Sequence, residues 1–144
     1  MQQHKIDNFL REYPEQQFPQ VCKLSEKECL SIKTIIMKKF CKNNEIDYLL
    51  NKLTQPENHC GNIDKDGVEL IYKLINENTT QDFILIDWGK FDDIDKMAVN
   101  DFIKYFNDIW YPVADDIDVF DKSCSWIMRI AHWGDIFVIQ ANTR

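Results

Sequence analysis

The sequence contains little glycine and proline, with four residues of each among its 144. This composition excludes collagen-like and proline-rich low-complexity chains. The sequence also lacks long apolar runs, because the longest stretch without a charged residue extends only from Ile136 to Thr143. A membrane-spanning helix needs about 20 apolar residues. We therefore expect a folded protein without a membrane-spanning segment.

Features of secretion and of cofactor binding are also scarce. The segment from Met1 to Leu10 alternates polar and apolar residues and has no apolar centre, unlike a secretory signal. The five cysteines are odd in number and widely spaced, with no CysXXCys pair that would indicate a zinc site; they are Cys22, Cys29, Cys41, Cys60 and Cys124. We predict a cytoplasmic protein with reduced thiols and no bound cofactor.

Basic residues are scarce in the second half of the chain. Residues 1–75 carry 11 acidic and 11 basic side chains, whereas residues 76–144 carry 13 acidic and 6 basic ones. The formal net charge of -7 therefore comes entirely from the second half. A broad nucleic-acid-binding face requires local positive charge, so we expect no nucleic acid as a partner.

The first part of the chain, about residues 1–78, shows helical periodicity. The strongest pattern is that of Glu26–Cys41, where Ser25 and Glu28 form a capping-box sequence before apolar residues at helical spacing. Three further helices are predicted over residues 2–13, around Ile46–Leu53 and over Asp66–Asn76. This part therefore predicts a helical layer.

The second part, about residues 81–140, mixes strand and helix patterns. Phe83–Trp88 is a short apolar run typical of a buried strand, and Lys96–Trp110 has a helical stripe. Ile117 and Val119 alternate with aspartates, which predicts a half-exposed strand. Ser125–Ala131 and Asp135–Gln140 flank a turn and predict a hairpin. We predict one α+β domain over residues 1–144, with the helical layer packed on a mainly antiparallel sheet of about four strands.

A cluster of carboxylates follows two aromatic residues in this second part. Asp115, Asp116, Asp118 and Asp121 lie within seven residues, shortly after Trp110 and Tyr111. Such a cluster has three interpretations: a solvated strand edge, a patch for a basic protein partner with aromatic anchors, or a Mg²⁺ or Mn²⁺ site. The partner patch includes Phe120 and the acidic pair Asp92 and Asp93.

Short motifs in residues 81–140 resemble those of a group of small bacterial proteins. The motifs are Trp110-Tyr111-Pro112, then Asp115-Asp116 opening a strand, then Ser125-Trp126-Ile127 and Ile130-Ala131-His132-Trp133-Gly134. The group includes immunity proteins of polymorphic-toxin and contact-dependent growth inhibition systems. The resemblance implies a cytoplasmic, non-catalytic protein that binds the C-terminal domain of a cognate toxin and covers its active site or substrate surface.

Two functions remain open on the sequence alone. The first is an immunity protein whose acidic, aromatic-flanked patch binds a basic nuclease toxin, since opposite charge accelerates and selects encounter. The second is a small metal-dependent enzyme that uses Asp115, Asp116 and Asp118. The sequence contains no assembled catalytic set, which favours the first, and it leaves the oligomeric state open.

Overall fold

A seven-stranded antiparallel sheet forms the centre of the fold. The computed structural model describes residues 1–41 and 45–141. Its strands are β1 (Val21–Lys23), β2 (His59–Asn62), β3 (Phe83–Asp87), β4 (Ile94–Ala98), β5 (Ile117–Phe120), β6 (Trp126–Ile130) and β7 (Asp135–Gln140). Their order across the sheet is β1-β4-β3-β5-β6-β7-β2.

Helices cover both faces of this sheet. They are α1 (Gln3–Glu12), α2 (Glu26–Phe40), α3 (Ile46–Leu53), α4 (Ile63–Asn78), α5 (Val99–Lys104) and α6 (Phe106–Ile109). Helices α2 and α3 pack on the face that carries Leu85 and Ile127. Helices α4 to α6 pack on the opposite face, which carries Ile86 and Met128. The apolar side chains of the central strands are therefore buried on both sides.

The helix α2 begins where the capping sequence predicts. The hydroxyl of Ser25 accepts a hydrogen bond from the N–H of Glu28, and the carboxylate of Glu28 accepts one from the N–H of Ser25. These two bonds satisfy N–H groups that the first turn leaves without helical partners. The buried side of α2 includes Ile36 and Phe40, so the predicted helix and its apolar face are confirmed.

The predicted α+β class is confirmed, but the count of about four strands is wrong. The first part of the chain contributes β1 and β2, which form the two edges of the sheet. The helices of this part also differ from the single layer expected, because α2 and α3 lie on one face and α4 on the other. The two parts of the chain therefore share one sheet and both of its cores.

The predicted helix over Lys96–Trp110 begins later than expected. Residues Ile94–Ala98 form β4, in which Ile94 and Met97 pack against opposite faces of the sheet. Asp95 is buried in this strand, where its carboxylate forms an ion pair with the N-terminal ammonium of Met1 and accepts a hydrogen bond from the indole N–H of Trp88 at 2.9 Å. A non-helical Tyr105 then separates α5 from α6. The acids before Lys96 belong to a strand and its turn, not to a helix N-terminus.

The prediction that β5 is half-exposed is also wrong. All four of its residues are buried. The alternation of apolar residues and aspartates indicates a solvated face only if the aspartates contact water. In this fold the aspartate inside β5, Asp118, has a basic partner beneath the helices.

All five cysteines are free thiols; Cys22 and Cys60 are exposed, and the other three are buried. Burial raises the pKa of the Cys41 and Cys124 thiols above the usual value. A raised pKa disfavours the reactive thiolate. Among the described residues, no helix has the combined length and apolar character that crossing a membrane requires.

Candidate functional site

The antiparallel topology brings three connecting segments to the same end of the sheet. Asp87 at the end of β3 is paired with Asp118 near the start of β5. Ile117, the first residue of β5, is paired with Ile130, the last residue of β6. The β3–β4 turn, the segment before β5 and the β6–β7 turn therefore lie at one end, which we name the loop end of the sheet. The acidic residues of the β3–β4 turn and those from Asp115 to Asp118, far apart in sequence, therefore lie at the same end.

Asp115 is buried at the loop end and belongs to the protein interior. Its carboxylate forms an ion pair with the ammonium group of Lys5 on α1 and accepts a hydrogen bond from the N–H of Tyr111. The Lys5 ammonium also lies 3.7 Å from the centroid of the Tyr111 ring. Burial lowers the pKa of Lys5, while the hydrogen bond and charge of Asp115 act in the opposite direction. This pair attaches α1 to the segment before β5.

Asp118 is also buried, and both of its carboxylate oxygens accept hydrogen bonds from Arg129. The Nε and Nη2 atoms of Arg129 lie 2.8 and 2.7 Å from the two carboxylate oxygens. The two residues are direct partners across β5 and β6. A bidentate pair of this kind fixes both side chains in one geometry. Asp118 is therefore a structural group beneath α2 and α3.

Asp87 lies opposite Asp118 on β3, and its carboxylate is also buried. One of its oxygens accepts a hydrogen bond from the N–H of Gly89 at 3.0 Å. The other oxygen has no hydrogen-bond partner among the described residues. Burial and the negative charge of Asp118 raise the pKa of Asp87 to about 7. At neutral pH this group is thus poised between its neutral and charged forms.

Three further residues of the predicted patch are buried. Asp121 accepts hydrogen bonds from the N–H and hydroxyl of Ser123. Burial opposes its ionisation, but these bonds hold the pKa of Asp121 below its usual value. The Trp110 ring stacks on Phe106 at 5.6 Å between ring centroids, and Phe120 is completely buried. Five of the nine predicted site residues are therefore buried, and a sixth, Asp93, is half-buried, as is Tyr111.

The remaining predicted residues reach the surface of the loop end. Asp92 is 69% exposed and lies 3.0 Å from the ammonium of Lys33. Asp116 is 43% exposed, and one of its oxygens accepts hydrogen bonds from the backbone N–H and from the ring of His132, at 2.7 and 3.0 Å. Tyr111 is half-buried. The structure thus retains two exposed acids and one aromatic ring of the predicted patch.

Two residues that were not predicted as site residues are the most exposed apolar groups at the loop end. Val113 is 84% exposed and Trp133 is 51% exposed. Val113 has φ of 72°, a left-handed conformation that is rare for a β-branched residue. Its N–H donates to the carbonyl of His132 at 2.8 Å. We name the area formed by Tyr111, Val113, Asp116, His132 and Trp133 the hairpin-end surface.

The exposed indole of Trp133 is held in place by the neighbouring residues. Its N–H donates to the carboxylate of Asp135 at 2.6 Å, and its ring packs edge-on against His132 at 4.9 Å. The other oxygen of Asp135 is contacted by Asn62 and His59 of β2. Hydrogen bonds from Asn62 and His59 lower the pKa of Asp135. The indole is therefore held in one orientation at the surface.

One sequence feature could have identified Trp133 as a site residue, namely a tryptophan at a turn position. The motif His132-Trp133-Gly134 was interpreted as a hairpin turn, which Gly134 with φ of 97° confirms, and as part of the family resemblance, but Trp133 was not included among the partner-binding residues. Turn positions usually hold glycine, proline, asparagine, aspartate or serine. A tryptophan at such a position therefore indicates a role beyond the turn. The conformation of Val113, in contrast, has no sequence signal.

The three carboxylates of the alternative metal site do not converge. Asp115 contacts Lys5, Asp116 contacts His132, and Asp118 contacts Arg129. Across residues 1–41 and 45–141, no group of three histidine, cysteine or acidic side chains is arranged to hold a metal ion. The described geometry does not provide the site on which that enzyme function depends. Asp116 alone remains accessible.

Comparisons of this chain with protein-family models, with curated proteins and with solved structures find no match.

Proposed function

We propose that this chain is an immunity protein that binds and neutralises a toxin domain through the hairpin-end surface. The observation that carries the proposal is the half-exposed indole of Trp133, held by Asp135 and His132 beside the exposed Val113. Exposed tryptophans in fixed positions are typical anchors of protein interfaces. Fixing such a side chain before binding reduces the entropy lost in the complex.

The charge of the loop end supports a basic partner. Asp92 and Asp116 present exposed carboxylates there, and the chain as a whole carries a formal net charge of -7. Opposite charge on the partner increases the association rate and disfavours acidic competitors. A nuclease toxin, whose active site must attract phosphate groups, has the required positive charge.

The mechanism we propose is steric occlusion. The hairpin-end surface covers the toxin's active site or the surface that receives its substrate, and no chemical step on the immunity protein is needed. The aromatic and apolar contacts of Trp133 and Val113 set the lifetime of the complex, because truncation of central anchors acts mainly on dissociation. The exposed carboxylates set the rate of encounter.

The test requires a candidate toxin, and the first candidate to examine is the C-terminal domain of any large secreted protein encoded beside this chain. Calorimetry measures its binding to the wild type, to Trp133→Ala and to Tyr72→Ala, an exposed aromatic residue on α4 that serves as the matched control. We expect Trp133→Ala to weaken binding at least about 30-fold, as loss of an interface anchor does. Tyr72→Ala should bind as the wild type does, and co-expression should protect cells in the same order.

Two results would contradict the proposal. One is the absence of any complex between the wild-type chain and that domain. The other is an equal loss of affinity in Trp133→Ala and Tyr72→Ala, which would place the contact elsewhere.

The contribution of charge to toxin binding is measured separately. The association rate should fall as salt concentration rises, and Asp116→Asn should reduce that dependence.

A further inference from the structure

The helix α1 is attached to the rest of the fold by few contacts. Only Lys5 and Phe9 are buried among its residues. In the described part of the chain, no residue of α1 belongs to the apolar clusters on the two faces of the sheet. Phe9 packs edge-on against the rings of Phe18 and Tyr105, at 5.2 and 5.5 Å between ring centroids. An element with so little buried apolar surface can open locally at a low cost in free energy.

The ammonium group of Lys5 occupies a cage of two aromatic rings and one carboxylate. It lies 3.7 Å from the centroid of the Tyr111 ring and 5.3 Å from that of the Trp88 ring. It also forms an ion pair with Asp115, and the Lys5 side chain is completely buried there. Rings attract cations within about 6 Å of their centroids, and a carboxylate adds a charged hydrogen bond. The cage therefore provides both attractions that bind an alkylammonium ion.

The walls of this cage are held by contacts within the remaining fold. The indole N–H of Trp88 donates to the carboxylate of Asp95 at 2.9 Å. The carboxylate of Asp115 accepts from the N–H of Tyr111 at 2.8 Å, and its carbonyl accepts from the indole N–H of Trp110 at 2.9 Å. The helix α1 thus supplies the ammonium group, whereas the cage itself is built by the segments after β3 and before β5.

A second carboxylate contacts the same indole and also holds an ammonium group. Asp95 is buried and forms an ion pair with the amino group of Met1. The Trp88 indole thus donates to one carboxylate through its N–H, while its ring contacts the ammonium that is bound to Asp115. Two ammonium groups joined by an aliphatic chain, as in a diamine, present the same pair of charges.

We propose that Trp88, Tyr111 and the carboxylates of Asp95 and Asp115 form a binding site for an aliphatic diamine, which enters when α1 swings away with Lys5. The ligand exchanges two ammonium groups for two others, so neither buried carboxylate is left without a cation, which would be strongly unfavourable. Residues 13–20, which join α1 to β1, form neither helix nor strand. α1 can therefore leave while the sheet stays intact.

Tyr111 is shared by this cage and the hairpin-end surface. α1 also contacts its ring from outside, through the amide of Asn8 at 3.2 Å from the hydroxyl and the ring of His4 at 5.8 Å between centroids. Entry of a diamine therefore removes contacts that hold one residue of the hairpin-end surface. The diamine site itself goes beyond the proposed function, since its occupation requires no toxin, and either can fail without the other.

The test measures binding of 1,5-diaminopentane to the ¹⁵N-labelled full chain by NMR. The indole N–H signal of Trp88 reports on the cage, because this group is bonded to Asp95. Since Lys5 competes from within the chain at an effective concentration of about millimolar or above, the diamine is added up to about 50 mM at constant ionic strength. We expect a saturable shift of this signal and at least about tenfold faster hydrogen exchange in α1, with exchange in α2 unchanged.

Two further probes separate charge from chain length. 1,5-Pentanediol has nearly the same length without charge and should cause no saturable shift. n-Pentylamine carries a single ammonium group, so it leaves one carboxylate without a cation and should bind at least about threefold more weakly than the diamine.

Variants test whether Lys5 is the competing group. Lys5→Ala removes the internal ammonium and should bind the diamine at least about tenfold more tightly than the wild type. Adding Asp115→Asn to Lys5→Ala should cancel that gain. The matched control is Lys33→Ala, because Lys33 pairs with the exposed Asp92 and, within the described chain, lies over no aromatic ring. It should bind as the wild type does.

Circular dichroism and thermal unfolding establish that these variants fold, and the wild-type measurement remains decisive if Lys5→Ala does not. Three results would overturn the inference. One is the absence of a saturable shift at the highest diamine concentration. Another is equal binding of the diamine and the diol. The third is unchanged hydrogen exchange in α1 while the Trp88 signal moves, which would show that amines contact the surface without displacing Lys5.

Discussion

Asp87 and Asp118 lie directly opposite each other on β3 and β5, yet only Asp118 is bonded to Arg129. The neighbouring Asp87 is buried, and one of its oxygens has no partner within the described residues. Arg129 therefore neutralises one of two adjacent carboxylates, and the pKa of the other is raised to about 7. This unequal arrangement has consequences for the pH dependence of folding.

Replacing Asp87 should change how stability depends on pH. The pKa of Asp87 is raised from the ordinary 3.8 to about 7 in the folded protein. Between about pH 4 and 7 the unfolded chain has lost this proton and the folded chain retains it, so the free energy of unfolding falls as pH rises, by at most about 1.4 kcal/mol per unit. Asp87→Asn should remove this decrease and be more stable than the wild type at pH 7.5.

Urea unfolding between pH 4.5 and 8 measures this effect. Asp92→Asn is the control, since Asp92 is largely exposed. Its stability should follow that of the wild type throughout the range. A constant difference between Asp87→Asn and the wild type at every pH would show that the carboxyl group does not titrate in this window.

Removal of Arg129 should destabilise the fold strongly. Arg129→Met leaves Asp118 as a buried carboxylate without its cation, which typically costs about 3–5 kcal/mol. The double variant Asp118→Leu with Arg129→Met removes both charges and should recover most of that loss. Denaturant midpoints of the three proteins test this. Equal stability of the single and double variants would mean that packing, and not the uncompensated charge, causes the loss.

The ion pair of Lys5 and Asp115 should support both the position of α1 and the hairpin-end surface. Lys5→Met retains the length of the side chain but removes the cation from a buried carboxylate that also bonds to Tyr111. We expect a loss of about 3 kcal/mol and a lower affinity for the toxin domain, because Tyr111 belongs to the surface. The control is Lys65→Met on the exposed side of α4, which should change neither quantity.

Val113→Gly should raise the stability of the fold and weaken the binding of the toxin domain. The left-handed backbone at Val113 is unfavourable for a β-branched residue and acceptable for glycine. We expect Val113→Gly to raise the free energy of unfolding by up to about 1 kcal/mol, while the loss of an exposed apolar contact weakens toxin binding. Thermal unfolding and calorimetry measure the two effects. A variant that is less stable than the wild type would contradict the assignment of strain to this residue.

The elements with strong local signals were predictable from the sequence. The capping residues of α2 and the apolar runs of β3, β6 and β7 identify these elements almost to the residue. The edge strands were missed because β1 and β2 have only three and four residues. Strands this short contain no usable alternation, and their formation depends on pairing with distant residues.

The candidate site was predictable only in part, because burial of charge depends on partners remote in sequence. Asp115 is buried by Lys5 and Asp95 is bonded to Trp88, and no local pattern specifies either contact. The positions of the acidic residues in the sequence therefore did not show which of their carboxylates reach solvent. Asp92 and Asp116 are exposed, whereas Asp115 and Asp118 stabilise the interior.

The origin of the two edge strands has a consequence for folding and for truncation. The five inner strands, β3 to β7, come from one continuous part of the chain, but β1 and β2 come from the other part. A fragment beginning at residue 81 would lack both outer strands and the helices of one entire face, exposing unpaired edges that favour aggregation. During synthesis, β1 and β2 emerge before β4 and β7, the strands that they border. The sheet can therefore be completed only after β7 has been synthesised.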